Sequence, residues 1–71
     1  MTPLEFLRRF TAEQRIAIRA TNDPVVEDGL QLLQLAQDVD LQDRDTQFFV
    51  NYCAQQGYIT QQAADNILGV E

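Results

Sequence analysis

Apolar positions along this chain recur at three- and four-residue spacing in separate blocks, and nowhere do they alternate strictly for long enough to argue a strand. The most aliphatic block is DPVVEDGLQLLQLAQDV, from Asp23 to Val39. Val26, Leu30 and Leu33 form one helical stripe; Val25, Gly29, Leu32, Ala36 and Val39 form a second beside it. Two adjacent stripes exceed the roughly 100° apolar face of an ordinary surface helix. The pattern therefore predicts a central helix over about 24–39, contacted from at least two sides. Gly29 in its interior costs up to about 1 kcal/mol relative to alanine, which points to close approach of a neighbouring helix.

Shorter helices are predicted on either side. Thr2, Pro3 and Glu5 have the form of a capping box with proline at the first helical position, and Met1 and Phe6 stand where a hydrophobic staple would close. That helix should run from about Pro3 to Arg9, with Leu4, Leu7 and Phe10 inward. Thr11 and Gln14 repeat the box and open a helix over about Ala12 to Ala20, whose inner line is Ile16 and Ala20, leaving Ile18 semi-exposed. Thr21-Asn22-Asp23-Pro24 breaks the chain, with Asp23 as the next N-cap. After the central helix, Asp43 or Asp45 caps a helix over about Arg44 to Gln56 that carries Phe48, Phe49, Tyr52 and Cys53 on one broad face. Gly57 suits the left-handed position that ends it. Thr60 opens a last helix, Gln61 to Leu68, with Ala63, Ala64, Ile67 and Leu68 inward, and Gly69 closes it; Val70-Glu71 should fray. The fold class is all-α, a small bundle of about five short helices around a central helix, forming a single helical domain over 1–71.

Size and charge narrow the function. A chain of 71 residues buries only ~60% of its surface on folding, which leaves room for a partner to supply further burial. The formal charge is −6, with five arginines and no lysine, so nucleic-acid binding is not expected. Residues 1 to 22 hold Arg8, Arg9, Arg15 and Arg19 against Glu5 and Glu13, a net +2; residues 23 to 71 hold Arg44 against nine acids, a net −8. A basic half that closes on an acidic half is one consequence, and the acidic surface suggests a basic protein partner. Arg15 and Arg19 are a like-charge i,i+4 pair that wants an acidic neighbour, in the C-terminal half or on another molecule. The single Cys53 rules out an intramolecular disulfide and reads as a small core hydrophobe. With no histidine, a Cys-His nucleophile pair and a Cys/His zinc site are both excluded. No apolar run approaches the ~18 residues of a membrane span, and no signal-peptide stretch opens the chain.

Two segments invite a chemical reading. Asp38 to Asp45, DVDLQDRD, has the aspartate density of a calcium loop, but counted from Asp38 the glycine position is Asp43 and the bidentate-glutamate position is Phe49. No metal or other cofactor is expected. YCAQQGYITQQAADNIL has the helix, glycine turn, helix form of a DNA-reading unit, and Gln61, Gln62 and Asn66 could address base edges. Without arginine or lysine on the second helix to hold phosphates, this is the weakest of the functional readings. An enzyme needs a nucleophile, a base or a metal cage, and none is legible. An interaction module fits better: Phe10, Ile18 and Tyr58 as an apolar contact patch, Arg15 and Arg19 as its cationic part, and Asp38, Asp40, Asp43 and Asp45 as an acidic segment that imitates nucleic acid or occupies a basic cleft.

PLEFLRRFTAEQRIAIRA, the TNDP junction before VVEDGLQLLQLA, and VNYCAQQGYITQQAADNIL resemble a class of small proteins encoded by tailed bacteriophages and prophages, often near tail genes. The likeness covers nearly the whole chain and rests on helix caps and core positions. It implies a phage context and transfers no functional residues. Two non-enzymatic roles follow from it: a virion or tail-assembly component that binds a phage structural protein or itself, and a small acidic inhibitor of a host protein. The expected location is the bacterial host cytoplasm or the virion.

Overall fold

Each helix of the computed structural model, which describes residues 1–69, begins at a side-chain oxygen. In α1 (Pro3–Leu7), Thr2 Oγ1 accepts the Glu5 N–H at 3.1 Å while Glu5 accepts the Thr2 N–H at 3.0 Å. Thr11 and Gln14 make the same reciprocal pair at the start of α2 (Ala12–Arg19), at 3.1 and 2.9 Å. Asp23 caps α3 (Pro24–Leu35), Asp43 caps α4 (Arg44–Gln55) and Thr60 caps α5 (Gln61–Leu68). These bonds satisfy amide groups that have no partner within the helix. Gly57 and Gly69 take left-handed backbone, with φ of 81° and 74°, at the ends of α4 and α5.

The all-α, five-helix reading holds, and α3 meets both α2 and α4 as a helix contacted from two sides should. Its length differs. α3 ends at Leu35, and Ala36 turns to extended backbone with ψ of 142°. Continuing to Val39 would set Asp38 against the negative end of the helix dipole, in the last turn. Leaving the helix instead lets Val39 enter the core, where its N–H donates to the Met1 carbonyl at 2.6 Å. The Met1 ammonium completes this clasp on Asp38 and on the Val39 carbonyl, at 2.9 and 3.0 Å. Val70 and Glu71, expected to fray, lie outside the described residues.

The driest part of the core belongs to α4, α5 and α1. Val50, Cys53 and Ala64 are fully buried, Phe6 and Ile67 nearly so, and α4 with α5 is the most extensive helix pairing. Phe6 meets Phe10 edge-to-face, ring centroids 5.5 Å apart. Burial in this apolar surrounding, and then the charge of Asp23, push the Cys53 thiol up to about 11, so it stays protonated. α3 reaches this core through Val26, with Leu30 and Leu33 half-buried. Gly29 explains how it sits so close to α4: a Cβ there would lie 2.3 Å from Phe49 Cδ2, so the phenyl ring rests on bare backbone.

Candidate functional site

Where α3 leaves its helix early, a cleft of about 180 Å³ opens between its C-terminal half and the start of α4. Phe6, Phe49, Leu33 and Val39 make its floor, with Gly29 and Leu32 along the α3 side. Asp38, Asp40, Asp43 and Asp45 line it as well, and no cation does. Three of these carboxylates already hold something. Asp38 takes the Met1 ammonium, Asp40 accepts the Gln42 N–H at 2.9 Å, and Asp43 accepts the Asp45 N–H at 3.0 Å. Each uses one oxygen for this, and all four side chains are exposed. The result is an apolar slot with an anionic edge, a shape that takes an apolar group attached to a cation.

The two helices that bound it also carry exposed apolar side chains. Leu35 is 81% exposed, Leu32 54% and Phe48 57%. On α3 the stripe of Val26, Leu30 and Leu33 turned inward and the stripe of Val25 and Leu32 stayed outside. Phe48 stacks only along its own helix, on Tyr52 at 5.9 Å between ring centroids.

The expected contact patch on the other side of the molecule is not presented. Phe10 and Ile18 are each 3% exposed and belong to the core, so neither can be a surface anchor. The reversal at α2 has a physical cause. Ile16 and Ile18 stand about 200° apart on a helix, so only one of them can face inward. With Ile18 inside, Arg15 three residues earlier lies under the end of α1, where Nη1 donates to the Leu7 and Phe10 carbonyls at 3.1 and 3.0 Å. The Leu7 carbonyl also accepts the Phe10 N–H at 3.2 Å, so the guanidinium adds a second donor there and supplies a donor to the Phe10 carbonyl. Ile16 is left 69% exposed. Arg15 thus finds its partners within the chain, while Arg19 stays exposed.

Tyr58 is half-buried, and its hydroxyl is engaged. Tyr52 and Tyr58 both donate to Asp23 Oδ2, at 2.7 and 2.9 Å, while the other oxygen of Asp23 caps α3. The two phenols, Tyr52 first, with the Val25 and Val26 amides, hold the Asp23 carboxyl below its usual range against the opposing effect of burial. In return the carboxylate pushes Tyr52 up to about 12 and raises Tyr58. This bolt ties the start of α3 to α4 and to the α4–α5 turn. Sequence reasoning assigned Asp23 to the cap and both tyrosines to the core or surface; nothing in their spacing joins residues so far apart in the chain.

The remaining charges do not close one half of the chain on the other. Among the described residues the one ion pair is that of Met1 with Asp38. Arg9 reaches the Asn66 carbonyl at 3.5 Å, near the end of α5, and Glu5 is occupied at its cap, so those two do not meet. Gln61 donates to Asp65 along α5, and Gln62 and Asn66 are exposed. No group of three or more acidic or thiol side chains is placed to hold a metal among the described residues. No helix there is long and apolar enough to cross a membrane. Comparison with known proteins supplies no relative: no family model, curated protein or solved structure matches the chain.

Proposed function

We propose that this chain is a non-enzymatic protein–protein interaction module of a tailed phage or prophage, a virion or tail-assembly component or a tail-associated accessory protein. The observation that carries the reading is the α3–α4 cleft, an apolar slot edged by Asp38, Asp40, Asp43 and Asp45 and lined on the α3 side by the exposed Leu32. Contiguous apolar surface with a polar rim is the make-up of a contact site. A protein partner fits it, and neither nucleic acid nor a membrane does, because the site carries anions. The phage setting rests on the resemblance of the capped helices described above.

The test is incorporation into particles. With the chain tagged in the phage or prophage that encodes it, purified particles or tail intermediates should contain it, and Leu32→Asp should deplete it from them. Absence of the parent chain from every particle and intermediate overturns the assembly role. A second reading, the acidic inhibitor of a host protein, draws on the gathering of four carboxylates on one rim with no arginine among them. Replacing Asp38, Asp40, Asp43 and Asp45 together by Asn keeps residues that cap helices well and removes only charge. The inhibitor reading requires host-factor binding that this variant loses; binding unchanged by it disposes of that reading.

A further inference from the structure

The cleft's complement is present on the same chain. On the outer face of α2, Ile16 stands 69% exposed, with Ala12, Ala17 and Ala20 exposed around it. Helical spacing sets Ala12, Ile16 and Ala20 in a line, so the isoleucine rises from a floor of methyl groups, and places Arg19 one turn on and the exposed Glu13 one turn back, on either side of it. Arg19 is exposed, and no carboxylate among the described residues pairs with it. One surface is therefore an apolar knob with Arg19 on one side and Glu13 on the other, and the other an apolar slot with anions around it, which the arginine side of the knob fits. No α2 residue lines the cleft, so one molecule can offer both at once.

We propose that the cleft is filled by a second copy of this chain, which inserts Ile16 between α3 and the start of α4 and lays Arg19 against the aspartates of the rim. The proposal rests on the docking reading of the cleft given above. Size allows it: a cavity of about 150 Å³ holds a benzene ring, so a slot of this volume takes a branched four-carbon side chain. Because knob and slot are different surfaces, the contact is heterologous, and repeating it generates a ring or a filament rather than a two-fold dimer. One face of an eight-residue helix buries far less than the ~800 Å² per partner of a stable interface. A single contact is therefore weak, and assembly depends on concentration and on the summing of contacts around a closed ring.

The experiment is sedimentation velocity with backbone amide NMR on the full chain, from roughly 20 μM to 1 mM. Association should rise with concentration, with shifts changing at two separate places, the outer face of α2 and the cleft. Ile16→Asp and Leu32→Asp both alter exposed positions, so their spectra should remain those of a folded chain. Each alone should be monomeric; mixed, they should form a one-to-one complex, because one brings an intact cleft and the other an intact knob. Arg19→Glu should weaken self-association about threefold to tenfold. A chain that stays monomeric without concentration-dependent shifts, association that survives Ile16→Asp, or variants that ignore each other when mixed overturns the proposal. If self-association is absent while Leu32→Asp still removes the chain from particles, the cleft is a docking site for a different protein and only the self-copy fails. If Leu32→Asp leaves particle content unchanged as well, the docking reading falls with it.

Discussion

The two ends of the α3–α4 contact are built differently. At the start of α3, Asp23 is locked by two phenols and Val26 is buried beneath it; at the other end the helix stops early, Leu32 and Leu35 face solvent, and the space beside Phe49 stays open. The same helix thus anchors the core at one end and forms the wall of a cleft at the other. In a chain this small, stability must come from the sealed side, because there is little core to spare. The open side is then available for contact at small cost to folding.

The largest expected effect separates the two sides directly. Ile67→Ala, at a side chain 1% exposed and away from the cleft, should destabilise the fold by about 2–5 kcal/mol, whereas Leu35→Ala, at 81% exposed, should stay within about 0.5 kcal/mol. Chemical denaturation of both variants reads the difference. Equal losses would show that Leu35 supports the fold and that the open side is not open.

Next in size is the close approach in the middle of α3. Gly29→Ala puts a methyl group 2.3 Å from Phe49 Cδ2, and moving that ring should cost about 1–3 kcal/mol although alanine is the better helix former. Phe49→Leu combined with Gly29→Ala should lose less than the sum of the two single changes. Additivity would mean that ring and glycine are not in contact.

Smaller, but specific to the anchored end, is the response to pH. Asp23 titrates lower in the folded chain than in the unfolded one, so its contribution is complete above about pH 3.8 and is lost as pH falls through the depressed folded value. Tyr52 titrates higher when folded, so its contribution is complete below about pH 10.0 and is lost as pH rises toward 12. Asp23→Asn should flatten the acid side of the stability curve and bring the Tyr52 phenol back toward its ordinary range. Tyr52→Phe should make the alkaline side shallower, leaving the parts that Tyr58 and Cys53 contribute. A parent chain whose stability is level across both limbs would dispose of the bolt.

Local chemistry was legible and long-range pairing was not. Thr2, Thr11, Asp23, Asp43 and Thr60 cap helices as their positions imply, because a cap involves residues two or three apart. Gly29 was readable as a point of close approach, and Phe49 as an aromatic facing α3, but not their meeting. Ile16 and Ile18 show where the pattern runs out. Either isoleucine could have been the buried one; with Ile18 inside, Arg15 reaches the Leu7 and Phe10 carbonyls at and just past the end of α1. The proposed contact sites moved for the same reason: Phe10 and Ile18 went inside, and the four aspartates came together around a cleft that their spacing alone does not define.

By itself, then, the amino-acid order determined that the chain is helical, where each helix begins, and that Gly57 bends left-handed, and its composition left no histidine to act as base or ligand. Those properties depend on neighbours along the chain and on composition. The end of α3 at Leu35, the Asp23 bolt, the exposure of Ile16 and Leu35, and the cleft itself were decided only by the tertiary structure. Each is a competition between surfaces of similar apolarity, and what settles such a competition is which backbone groups and side chains are left to be satisfied once the helices have packed.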